Sequence, residues 1–265
     1  MPSLTYLYRY PLKSAAPLPC EAAEVEARGL AHDRRWMAVD AHGSFLTARK
    51  YPRLTLIRAQ PDGDWLMLEA PGMPRLQLIP ARDDRREDVV VWDSRVPALF
   101  AEGNAQAWIS EFLGVPAQLV FMDAACLRSV DPKYSTPGDQ VSFADGFPLL
   151  LISQTALDNL NAKLSDPIPM LRFRPNLVID GTQAHAEDGW KRIRVGDIEF
   201  DIVKPCMRCT IPTIDVERGT FDPDGEPLRT LKTYRRTDKG VSFGQNLIPR
   251  GVGTLRIGDA VEVLA

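Results

Sequence analysis

Proline sets the grain of this chain. With 22 prolines spread over 265 residues, long uninterrupted helices are excluded, because each proline fixes φ and removes a backbone donor. What remains is a fold of many short elements. The first hundred residues carry this furthest. Runs that alternate apolar and polar side chains (LTLIRAQ, DWLMLEA, RLQLIP, VVVWDS) are separated by PDGD and PGMP, which are turn sequences. That pattern predicts β-structure folded into a small twisted barrel or sandwich.

The second half is mixed. Residues 104–113 (NAQAWISEFL) place Ala107, Trp108, Phe112 and Leu113 on one helical face, with Asn104 suited to the N-cap and Gly114 to the stop. From Asp123 to Gly146 no periodicity is visible and prolines and glycines recur, so the segment is expected to be a loop kept for use. LLLIS then predicts a buried strand, and Ser153 a cap for a helix over QTALDNLNAKL. IRVGDIEFDIV and LRIGDAVEVL each predict strand, tight turn, strand. The expected class is mixed α+β, mostly β.

Composition narrows the functions. The 35 acidic and 32 basic residues leave a net charge of −3, so no broad footprint for nucleic acid or anionic lipid is expected. No stretch reaches the roughly 18 apolar residues of a membrane span, and MPSLTYLYRYPLKS lacks the basic flank and apolar core of a targeting segment. Four cysteines do not make a disulfide framework at this length, which fits a reducing compartment and a cytoplasmic location.

Two of those cysteines form KPCMRCTIPTID. A thioredoxin-like dithiol needs a helix after the pair, and TIPTID, alternating and broken by Pro212, supplies none; the pair is expected on a turn between strands. A zinc site needs two more ligands, and His32, His42, His185, Cys20 and Cys126 show no second ligand spacing. Simple burial suits Cys206. For Cys209 the neighbours Lys204 and Arg208 would stabilise a thiolate, a soft ligand for molybdenum, copper or iron–sulfur centres. Arg172, Arg174, Arg34, Arg35, Lys13 and Ser14 would suit an anionic cofactor, although each taken singly is more often a solvated charge or an ion-pair partner. The residues alone define a β-rich protein with a possible thiolate-and-anion site.

Taken in order, YPLKS, HDRRWMAVD, LTARKYPRL, DQVSFADGFPLLLIS, RFRPNLVI, AEDGWKRIRVGDIEF, CMRC, DGEPLRTLKTYRR, FGQN and LRIGD resemble the MOSC family, in the branch with an N-terminal MOSC β-barrel region that includes the mitochondrial amidoxime-reducing component. The resemblance runs over nearly the whole chain. It implies an N-terminal β-barrel-like region over residues 1–100 and a MOSC domain over 101–265, with the segment around 8–36 contributing to the cofactor site. It also implies the molybdenum cofactor, with Cys209 as the protein's metal ligand. Lys13, Ser14, Arg34 and Arg174 match positions that hold the pterin and its phosphate. Met207 and Arg208 match positions beside the ligand cysteine, and Asp145, Gly146 and Phe147 the stretch nearest the metal; Asn176 matches a binding position or serves loop backbone. Relatives often carry hydroxyl residues where this chain has Gly146, Phe147 and Met207, so backbone N–H groups would have to serve there.

The implied activity is reduction of small N-hydroxylated substrates, with Asp145 as proton donor or substrate-orienting group. Because no cysteines follow LRIGDAVEVLA, a separate electron donor of ferredoxin, flavin or cytochrome type is expected. Two other readings stay open: a sulfur-transfer module with Cys209 as persulfide carrier, and a zinc-stabilised barrel.

Overall fold

The computed structural model describes residues 1–62, 65–80 and 86–265. It is mostly β, with three α-helices among the described residues: α1 (Ala105–Leu113), α2 (Gln154–Asn161) and α3 (Leu228–Tyr234). A nine-stranded sheet forms the C-terminal body. Its order is Leu18–Cys20, Ser3–Arg9, Leu177–Asp180, Leu149–Ser153, Gly240–Pro249, Ile198–Met207, Arg192–Val195 and Val261–Val263, with Arg236–Thr237 added beside Gly240–Pro249. LLLIS lies at its centre, buried at all five positions, parallel to Leu177–Asp180 and antiparallel to Gly240–Pro249. An unbroken apolar run suits a strand covered on both faces.

The N-terminal region adds two smaller sheets. One runs Trp36–Val39, Gln118–Phe121, Ser94–Phe100, Arg86–Val91. Val89, Val91, Val96 and Ala98 alternate inward there, as period-two strands require. The other, Arg58–Asp62, Trp65–Glu69 and Leu76–Leu78, packs Leu66, Leu68 and Leu78 in one core with Trp108, Ile109 and Phe112 of α1. The N-terminal strand Ser3–Arg9, by contrast, is built into the large sheet.

Several local expectations change. LTLIRAQ is not strand throughout: Pro52, pre-set for a helical turn, opens a 3₁₀ turn over Pro52–Leu56, and the strand begins at Arg58. The PDGD turn falls partly on residues 63–64, outside the described residues. Asn104 sits at the N-cap of α1 without a side-chain capping bond, whereas Gly114 ends it at φ 70°. Ser153 caps α2 by accepting from Ala156 N, but α2 stops at Asn161, before the expected Leu164.

The two RxGD stretches diverge. The first is a hairpin that pairs Val195 with Ile198 across Gly196-Asp197. In the second, Gly253–Arg256 joins Ala22–Glu26 while Val261–Val263 joins Arg192–Val195. Asp259 accepts from Arg256 N, and Leu4 bonds both Gly258 N and Asp259 O, so the turn is tied to another strand and its arms separate. Near the cysteines, Cys206 and Met207 end the Ile198–Met207 strand, and Ile211–Thr213 is a 3₁₀ turn rather than strand. Only Cys209 stands on the connecting turn.

Candidate functional site

The end of the N-terminal strand begins the site. Leu12 bridges Trp36, Arg34 N donates to Tyr10 O, and Phe143 N donates to Arg34 O, so residues 10–14, 33–36 and the non-periodic loop before Leu149 are laced together. A single cavity opens between this lacing and the Cys206–Cys209 turn. Lys13, Ser14, Arg34, Asp145, Gly146, Phe147, Arg174, Asn176 and the Cys206–Cys209 turn all line it.

The cavity is strongly cationic. Lys13, Arg34, Arg49, Arg174 and Arg208 line it, against Asp145 as the one lining carboxylate. Lys13 is 4% exposed and donates to Phe143 O and Asp145 Oδ1, both at 2.6 Å. Burial pulls its ammonium down to about 8, with Asp145 opposing and Arg128 and Arg34 adding to the fall. For Asp145 burial works to raise the carboxyl, but Lys13 and Arg49 override it and hold it well below the usual range. Its side chain remains 53% exposed, so it presents an ionised acceptor at the cavity mouth.

Arg49 joins that carboxylate to the thiol. It donates to Asp145 Oδ2 at 2.8 Å, lies over the Trp92 ring at 4.7 Å, and interacts electrostatically with Cys209. Burial disfavours the Arg49 cation, yet Asp145 and Cys209 outweigh it and raise its pKa. Cys206 has a separate arginine: Arg208 Nη1 donates to its sulfur at 2.9 Å and Nη2 to Phe173 O at 2.7 Å. The two thiols of the CxxC are therefore held apart in role.

Some expected residues serve the protein first. Asn176 is 1% exposed, accepts from Leu150 N and Arg34 Nη1 and donates to Tyr8 O, so its bonds go to backbone and to Arg34. Ser14 Oγ accepts from Ala48 N, which anchors the segment carrying Arg49. At Gly146 an added Cβ would meet nothing within 4 Å, so the protein itself does not require glycine there; the open space faces the cavity.

Three contributors escape a reading of the sequence. Arg128, 7% exposed, donates to the carbonyls of Ser142, Ala144 and Asp145 and so shapes the loop that carries Asp145. Asp33, fully buried, accepts from Tyr10 N and Arg34 Nη1. Arg49 was visible only as one charge in LTARKYPRL. A lone loop arginine carries no periodicity, so nothing in one sequence separates it from a solvated charge.

The donor set suits an anionic group with a soft metal. Arg174 Nη2 and Arg208 Nε are buried without a hydrogen-bond partner, which a protein tolerates where a ligand completes the bonding. Cysteine sulfur is a ligand for soft metal centres. Among the described residues no three His, Cys, Asp or Glu side chains converge, which leaves the zinc-stabilised barrel without support. Of six described non-glycine residues at positive φ, Ser14, Arg34 and Arg174 line the cavity, and Trp92 touches Arg49 and Asp145. Strain of this kind gathers at functional sites.

A mostly β body with a thiol-lined cavity ringed by cations defines a cofactor-binding class. The chain belongs to the MOSC-domain family, in its branch with an N-terminal MOSC β-barrel: the MOSC N-terminal beta barrel domain matches residues 1–116 and the MOSC domain residues 138–262. It is 34% identical to human mitochondrial amidoxime-reducing component 1, over 99% of this chain and 83% of that protein. Human mitochondrial amidoxime reducing component 2 is 30% identical over 96% of this chain and 81% of its own length. The molybdenum cofactor sulfurase of Oryza sativa subsp. japonica is 31% identical over 89% of this chain but 31% of its own length.

Proposed function

We propose that the chain binds the molybdenum cofactor and reduces N-hydroxylated compounds, R₂N–OH + 2e⁻ + 2H⁺ giving R₂NH + H₂O. The observation that carries this is one cavity holding five cations, two of them with unsatisfied buried nitrogens, together with the half-buried thiols of Cys206 and Cys209. The names of the full-length relatives point the same way. Bound, the cofactor supplies the redox-active metal that delivers the two electrons.

The chain's own residues then divide the work. Arg34, Arg174 and Lys13 take the phosphate and pterin by charge-assisted bonds. Cys209 would be the metal ligand, with Arg49 as the neighbouring cation whose charge acts on its sulfur. Met207 and Arg208 would flank that ligand, and the main chain at Gly146 and Phe147 would offer N–H groups to the bound group. Of the two roles open to Asp145, an ionised carboxyl held this low favours orienting substrate N–H or O–H over donating a proton. Electrons come from a separate ferredoxin-, flavin- or cytochrome-type partner. With four free cysteines and no described helix long and apolar enough to cross a membrane, the reading includes a cytoplasmic place of work.

The test is elemental analysis of protein from a host that makes the cofactor, followed by turnover of benzamidoxime with a reduced viologen. About one molybdenum per chain and N–O reduction are expected; metal-free protein without turnover would refute the proposal. The rice relative favours a second reading, with Cys209 carrying a persulfide. A metal-free protein whose Cys209 is found as persulfide by mass spectrometry would establish it.

A further inference from the structure

We propose that Tyr10 is a positioning residue for anion binding, its buried ring holding the guanidinium groups of Arg34 and Arg174 together at the cavity before a ligand arrives. The assignment deepens the cofactor reading and rests on it for the identity of the ligand. Tyr10 is fully buried, yet it lies just behind two of the cavity's cations. The guanidinium carbon of Arg34 is 4.2 Å from its ring centroid and that of Arg174 is 4.3 Å away.

Like charges brought this close repel, and burial penalises both. The aromatic face opposes that by attracting cations. Asp33 completes the arrangement, taking Tyr10 N at 2.8 Å and Arg34 Nη1 at 2.6 Å, while Tyr10 Oη donates to Pro175 O at 3.0 Å. Arg174 Nη1 is spent on Ala15 O, and its Nη2 is left buried and unbonded. Both arginines are at left-handed φ, 48° and 58°, conformations that persist only when their surroundings enforce them. The ring, Asp33 and the two arginines form a set that is arranged in advance and lacks only an acceptor for Arg174. Preorganisation of this kind lowers the cost of binding.

The test separates ring from hydroxyl. Inorganic phosphate is titrated by calorimetry at pH 7 into wild type, Y10F and Y10L, with ligand-free melting temperature and co-purified molybdenum recorded for each. Y10F is expected to bind phosphate as wild type does, and Y10L about ten-fold more weakly, equivalent to about 1.4 kcal/mol. Unchanged binding by Y10L, an equal loss in Y10F, or no phosphate binding by wild type would each overturn the assignment. Should Y10L fail to fold, R34Q, R174Q and the double variant decide: preorganisation expects losses that are not additive, and additive losses refute it. Wild type that binds phosphate but never carries molybdenum would overturn the cofactor reading and leave Tyr10 standing. Metal-loaded protein indifferent to Y10L would overturn Tyr10 alone.

Discussion

At the scale of single residues, the two cysteines line one cavity but differ in their surroundings. Cys206 ends a strand and accepts from Arg208, whereas Cys209 stands on the turn after it, where Arg49 interacts electrostatically with it. Cys209→Ser is expected to abolish turnover and metal retention, and Cys206→Ser to spare most of both, as read by molybdenum content and viologen-driven kinetics. Arg49→Gln removes the cation between Asp145 and Cys209 and should cost roughly 10–100-fold in metal retention or turnover, with little change in melting temperature because Arg49 is partly exposed. Lys13 introduces a pH dependence. Its pKa lies below the ordinary 10.5, at about 8, so the folded chain binds fewer protons than the unfolded between those values. On this group's account, ligand-free stability rises from pH 8 to 10.5. Anion affinity runs the other way, falling as pH climbs through 8; calorimetry with phosphate from pH 6.5 to 9 should show the decline, and Lys13→Met should flatten it. Lys13, Arg174 and Cys209 were legible because they sit in ordered motifs. Arg128 and Asp33 were not, since what marks them is burial against backbone groups of other segments, Ser142, Ala144 and Asp145 for the first and Tyr10 for the second, which no spacing along the chain shows.

At the scale of elements, Ser153 does two jobs at the start of α2. It accepts from Ala156 N and donates to the buried Glu187, whose carboxyl burial pushes up. Ser153→Ala should cost about 1–3 kcal/mol, the sum of a lost cap and a poorly satisfied carboxyl, measured by urea unfolding. Gly244 kinks the longest pairing of the sheet at φ 81°, where an added Cβ would lie 2.6 Å from Ile152 Cγ1 and 2.7 Å from Leu151 O. Elements read well where apolar spacing was long, as in α1 and LLLIS. They read poorly where contacts from elsewhere decide, as in the second RxGD turn, which Leu4 pulls open, and in LTLIRAQ, where Pro52 outweighs alternation.

At the scale of the whole molecule, the two halves are not independent. Ser3–Arg9 lies inside the large sheet between Leu18–Cys20 and Leu177–Asp180, and Lys13 bonds Asp145. A fragment beginning at residue 101 should therefore lack a cooperative melting transition, while the full chain shows one by calorimetry. The cavity itself draws on positions 13, 34, 49, 145, 174 and 209. Strands from distant parts of the sequence must meet in the large sheet before these positions converge, so a partly folded chain owns no complete clasp. Loading is then expected late in folding, into a shell whose strands have already closed around the cavity.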